Sequence, residues 1–188
     1  MGFAPSHNGF NYGLQGVISS LGPLSGAGRA TMLAGVNYAS SAYPTASRIF
    51  YTPLMLPAPV TVHGGWVYNG ATVAGNWNVG IYEWESKARL LETGTVAQAT
   101  INVVQRSDLS GGGTVDLKAG LYFMGIISSS ATATFFRVTN SNYLLAGHGC
   151  CFEAGAGSTL PTTASLASGI TNAYFPAFGF ETRADNIV

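Results

Sequence analysis

The sequence predicts an all-β fold: an antiparallel β-sandwich, jelly-roll-like, preceded by an extended N-terminal arm. Three observations predict it. From Arg48 onward, short runs rich in β-branched and aromatic residues recur, each long enough for one strand. Turn formers separate most of them, as in "NGATVAGN", "SGGG" and "KAG". No helical period alternates with the strands, so parallel βαβ units are excluded.

The elements follow in order. Residues 1–47 carry one charge, Arg29, and no sheet alternation, and Gly22-Pro23 interrupts them. Phe10, Tyr12, Tyr38 and Tyr43 distinguish this stretch from a highly charged disordered tail. It reads as an arm that orders by lying on a surface, with Phe10, Leu14, Ile18, Leu21 and Leu24 as anchors and room for a short helix near Gly28–Leu33. The domain proper is assigned to residues 48–188. "RIFYTPLML" is apolar on both faces, and Pro53 confines it to an edge or a bulge. "VTVHGGWVY" alternates and places Val60, Val62, Trp66 and Tyr68 on one face, with His63 opposite. "WNVGIYEWE" places Trp77, Val79 and Ile81 together, with Asn78, Tyr82 and Trp84 on the other parity. "ARLLETGTV", "TINVV", "TVDL", "GLYFMGIIS", "ATFFRV", a stretch around Leu144–Phe152 and "AFGFET" complete the set. The total is roughly eight to ten strands.

Both parities of "GLYFMGIIS" are apolar: Leu121, Phe123 and Ile127 on one, Tyr122, Met124 and Ile126 on the other. A strand with one face in water alternates, so both faces of this one must be covered. One meets the core. The other meets a neighbouring subunit, the arm, or the uncharged segment Thr159–Ile170.

Charge carries the functional argument. Only 9% of the 188 residues are charged, against about 25% in an average soluble domain. Formal net charge is zero, and apolar content is ordinary at 47%. Ser, Thr, Ala, Asn and Gly stand where Lys, Glu, Asp and Arg usually stand. Such a surface dissolves yet packs readily on neighbours, which points to a homo-oligomer, a trimer in the favoured form, or a larger assembly. Direct nucleic-acid binding needs a basic stripe, and the eight Lys and Arg are scattered among eight Asp and Glu. No apolar run is long enough to span a bilayer as a helix. The N-terminus lacks the basic flank and apolar core of a signal peptide, and its Gly2/Ser6 match to the myristoylation pattern has no polybasic support.

Cys150 and Cys151 are adjacent, so on a strand they face opposite ways and do not bond each other. They read as small buried residues in a reducing compartment, with a bond to another subunit left open. Glu83 and Glu85, about 7 Å apart on one face if the strand continues, have a spacing that a glycosidase pair can use. Such pairs usually come from different strands, and the plain reading is a strand end entering solvent. His7, His63 and His148 lack metal-ligand spacing. No nucleophile elbow, phosphate loop or Cys–His pair occurs. No catalytic, metal or cofactor residue is therefore assigned. Trp66 and Trp77 share faces with Val and Ile and read as core. Tyr82, Trp84, Tyr122 and Met124 are the candidates for subunit-interface packing or glycan contact.

The succession "RIFYTPLMLPAPVTV…NVGIYE…LETGTV…VDLKAGLYFMGI", from Arg48 to Ile127, resembles a β-sandwich module common in tailed-bacteriophage virion proteins. The positions that carry it are Pro57–Thr61, Gly80–Tyr82 and Leu117–Tyr122. The resemblance implies a fibre tip, head fibre or capsid-decorating protein at the particle surface, made in the host cytoplasm, with other virion proteins as partners and no catalytic residues. The favoured reading is a capsid-decorating (cement) protein gripping the shell by its arm. A glycan-binding fibre tip and a carbohydrate-active enzyme are the alternatives. Fibre tips usually follow long shafts, and the enzyme reading lacks an acid/base pair.

Overall fold

The computed structural model describes residues 17–19, 38–138, 150–169 and 174–183. They form strands only. These are β1 Val17–Ser19, β2 Tyr38–Ala42, β3 Arg48–Leu56, β4 Val60–Tyr68, β5 Asn76–Glu83, β6 Arg89–Glu92, β7 Val96–Ala97 and β8 Val104–Asp108. The remainder are β9 Val115–Leu117, β10 Gly120–Ser128, β11 Thr134–Val138, β12 Cys151–Ala154, β13 Ser168–Gly169, β14 Phe175–Pro176 and β15 Phe178–Arg183.

Every strand pairing is antiparallel. One layer runs β1-β15-β4-β8, with β9 also on β4. The sheet β14-β11-β2 extends this layer through the bridge Asn69↔Phe135. The opposing layer runs β13-β12-β3-β10-β5-β6, with β7 on β5. The chain crosses between layers at β3–β4, β4–β5, β7–β8 and β9–β10, so sequence neighbours face each other across the core. The fold is an antiparallel β-sandwich. Phe50, Val67, Trp77, Ile126, Phe135 and Phe180 are among the side chains that fill its interior. Burying one such side chain contributes about 1.5–3 kcal/mol.

The described strand runs expected from Arg48 onward form, with particular departures; of the stretch around Leu144–Phe152, residues 144–149 lie outside the described residues and β12 takes Cys151–Ala154. "TINVV" does not become a strand. Thr100 and Asn102 take positive φ (59° and 56°), and β8 begins only at Val104. "ARLLETGTV" is split into β6 and β7 around Gly94, at φ 70°. Pro53 lies where β3 has become an edge: β12 covers only Arg48 to Tyr51, and beyond that β10 is the neighbour.

Two expectations are overturned. The boundary at Arg48 falls inside the sandwich. Strand β2 pairs with β11 along its whole length, and Tyr43 is buried at 1% exposure. The Tyr43 hydroxyl donates to the carbonyls of Arg48 (2.6 Å) and Ile126 (3.1 Å), and its ring meets Phe50 and Phe135 edge-on. Even β1, deep in the presumed arm, adds to the edge strand β15, with Ile18 opposite Phe180.

The second correction concerns β4. Thr182 pairs with Val62 and Glu181 with Gly64, so His63 is an extra residue and the strand is bulged there. A one-residue insertion exchanges the faces of everything that follows. Val60 and Val62 point into the core, but beyond the bulge Val67 takes that direction, and Trp66 and Tyr68 do not. Trp66 is buried at 4% exposure, yet its indole N–H has no partner. Tyr68 instead stacks on Phe136, with centroids 4.2 Å apart.

Candidate functional surface

Strands β3 and β10 are apolar on both faces, and with β5 and β12 their outer face carries a second cluster: Ile49, Tyr51, Tyr82, Phe123, Ile127 and Cys151. The segment 155–166 lies across it as a strap and contributes Leu160 and Ala164, with Leu166 packed alongside. Of the three covers expected for the outer face of β10, the chain itself supplies this one.

Polar bonds position the strap. The backbone N–H of Arg89 donates to Thr162 O (2.8 Å) and that of Ala164 to Lys87 O (3.0 Å). The Tyr82 hydroxyl donates to Pro161 O at 3.0 Å, and the Arg89 guanidinium donates to Leu160 O. Glu153 is the central group. Its carboxylate, 7% exposed as a residue, accepts from the Tyr51 hydroxyl (2.6 Å), the Ser165 N–H (2.6 Å) and the Ser165 hydroxyl. Burial, the neighbouring Tyr82 and the Glu153 carboxylate together push the Tyr51 phenol far above the ordinary tyrosine range. Tyr51 therefore stays a neutral donor. Sequence reasoning missed Glu153; the one signal was a lone carboxylate two residues past Cys151 on a short apolar strand.

This geometry places the sequence-predicted contact residues. Tyr82 is fully buried beneath the strap, edge-on to Tyr51 at 5.3 Å. Tyr122 and Met124 point the other way, into the sandwich core, at 8% and 1% exposure. None of the three presents a ring or thioether to a partner or a glycan in this fold. Trp84 alone remains half-buried. One face of its indole lies flat on Phe123, with centroids 4.3 Å apart and planes within 10°. The Lys87 ammonium sits over both rings at 4.9 and 4.8 Å, within cation–π range, and donates to Trp84 O. Among the anchors assigned to the arm, Phe10, Leu14, Leu21 and Leu24 lie outside the described residues. Ile18 lies on β1.

Glu83 and Glu85 do not share a strand face. Strand β5 ends at Glu83, and the chain turns through Trp84–Ser86. The Glu83 carboxylate accepts from the Ser86 N–H at 2.8 Å, and these bonds to Ser86 lower its pKa from the ordinary carboxylate value. It caps a turn while Glu85 is exposed. Cys150 and Cys151 are free and face opposite clusters. Burial pushes both thiols up, that of Cys151 to about 11. His63 lies 3.6 Å from Glu181, which also pairs with Arg106. Among the described residues no three His, Cys, Asp or Glu side chains converge as metal ligands would.

The class defined by these features is an antiparallel β-sandwich with a strapped outer face. No protein-family model matches the chain, and no curated protein matches it.

Proposed function

We propose that the chain is a non-enzymatic accessory structural protein of a virus particle, a capsid-decorating protein that acts by assembly with its own copies and with a shell. The observation that carries this reading is the poverty of charge. Eight basic and eight acidic residues serve 188 positions, and several neutralise each other within the chain, as Arg89–Glu92 and Arg106–Glu181 do. Apart from a few exposed charges such as Glu85, Asp108, Asp116 and Lys118, the outside is hydroxyl, amide and small apolar surface, which opposes association weakly. The virion assignment draws on the resemblance across Arg48–Ile127. Its three motifs fall on the β3–β4 turn and the start of β4, on β5, and on the turn from β9 into β10. Those are positions where a sandwich module needs turn geometry and a buried strand.

Two measurements test it. Light scattering on the purified full chain at micromolar concentration is expected to give a multiple of the single-chain mass. Antibodies against the chain are expected to label the surface of intact particles purified from the same source. A stable monomer, or particles that carry none of the protein, overturns the proposal.

A further inference from the structure

Seven large hydrophobic side chains are exposed among the described residues, and four of them gather at one end of the sandwich. They are Val73 (37%), Ile101 (50%), Val103 (39%) and Val104 (39%). Three connections meet there: residues 69–75, 98–103 and 129–133. Backbone bonds knit them together, Asn102 N–H to Gly70 O, Asn69 N–H to Val103 O, and Ser129 N–H to Asn76 O, each at 2.9 Å.

The display is built rather than incidental. Thr100 holds φ 59°, a costly conformation for a β-branched residue, and Asn102 holds φ 56°. Buried amides beneath enforce it. Asn69, with 0% exposure, donates to Ala99 O (2.6 Å), Thr100 O (3.0 Å) and Gln105 Oε1 (2.8 Å). Gln98 donates to Asn69 Oδ1 (3.0 Å) and accepts from the Ala74 N–H (2.9 Å), joining the second loop to the first. A satisfied buried polar network rigidifies what it supports. Here it supports aliphatic side chains held in water, and preorganisation of that kind lowers the entropy lost when a partner covers them.

The three connections are themselves uncharged; Arg48, at the start of β3 beside Ser128, is the charge at this end, and its guanidinium lies over the Phe152 ring. No Asp, Glu, Lys or Arg occurs at positions 49–82, 93–105 or 119–136, which include all three connections. The turns at the other end carry Glu83, Glu85, Lys87 and Lys118. A surface with charges of one sign cannot face its own copy without like-charge cost, whereas these three connections meet their own copies with none. We infer that this end is the self-association face: Val73, Ile101, Val103 and Val104 pack against the same end of a second copy of this chain. The inference rests on the assembly reading and gives it a location.

Charge exchange tests it on the full chain. Ile101→Glu and Ile101→Lys are each expected to reduce the wild-type mass to that of one chain, with an unchanged circular dichroism spectrum. Mixing the two variants is expected to restore association, because opposite charges then meet at one contact. Val73→Glu and Val73→Lys repeat the test from the neighbouring loop, away from the strained residues, should the Ile101 variants not fold. A wild-type monomer sinks the assembly reading itself. A wild-type oligomer whose mass survives both sets of substitutions leaves that reading standing and overturns the face assigned here, as does a mixture that fails to reassociate.

Discussion

Gly65→Ala isolates the bulge in β4. With one residue added at His63, position 65 faces the core. A β-carbon built there falls 2.5 Å from Val79 Cγ2 and 2.7 Å from Thr93 Cγ2, well inside van der Waals contact. Both neighbours are buried in the opposing sheet, Val79 at 0% and Thr93 at 6% exposure, so neither has free space to retreat into. Overpacking of one methyl in such a setting costs about 1–3 kcal/mol. In a strand that alternated without interruption from Val60, position 65 would face outward. Alanine would then be neutral or stabilising by about 0.5–1 kcal/mol, since glycine loses more backbone freedom on folding. The two geometries thus differ in sign. Urea unfolding followed by tryptophan fluorescence reads the midpoint, and a thermal melt is expected to fall by about 2–4 °C per kcal/mol. The companion variant Val79→Ala removes the closest contact. A double-mutant cycle should show that Gly65→Ala costs less in that background, with a coupling of about 0.5–3 kcal/mol. Wild-type stability for Gly65→Ala together with zero coupling would refute the bulge and its exchange of faces.

Two further outcomes follow from buried groups. Native Cys150 and Cys151 should resist thiol reagents at pH 8 and react only after unfolding; and because the Cys151 thiol is raised to about 11, its contribution to stability should be complete below the ordinary thiol range and decline as pH rises through it toward 11, a trend absent in Cys151→Ala. Glu153→Gln turns a triple acceptor into a group with an amide donor facing the Tyr51 and Ser165 donors, so it should destabilise by roughly 1–3 kcal/mol and speed hydrogen exchange in the strap at residues 155–166, whereas unchanged exchange there would show that the apolar contacts of Leu160 and Ala164 hold the strap alone.

Strand periodicity was legible wherever a strand runs without insertion. Trp77, Val79 and Ile81 lie in one cluster and Tyr82 in the other, as two-residue alternation requires. The opposed directions of Cys150 and Cys151 followed from the same rule. Alternation divides a strand into two faces but does not say which one meets the core. For β10, Tyr122 and Met124 go inward and Phe123 and Ile127 go under the strap, a choice made by residues 155–166, about thirty positions later. The bulge at His63 was illegible for a related reason. An inserted residue is defined only against its partner strand, and that partner, β15, lies over a hundred residues away. Thr100–Val104 misled because its β-branched composition matches a strand, while the buried Asn69 amide donates to the Ala99 and Thr100 carbonyls and the Gln105 side-chain oxygen accepts from the Ala99 N–H, holding a turn there.

The N-terminal segment shows the same limit from the other side. Its Gly, Ser and Ala composition offers little alternation, and a separate arm was the natural reading. Yet five residues of low apolar content, Tyr38–Ala42, need only a backbone partner to become a strand, and β11 supplies one. Backbone pairing alone does not offset an ordering cost of about 1–2 kcal/mol per residue. The compensation comes from Tyr43, whose buried ring reaches Phe50, Phe135 and Tyr174, and whose hydroxyl satisfies carbonyls on β3 and β10. One aromatic residue thereby fastens β2 to both layers. Any anchoring role for residues earlier in the chain must act from a sandwich that already includes Tyr43, which moves the point of departure of such an arm from Arg48 to Tyr38 or before.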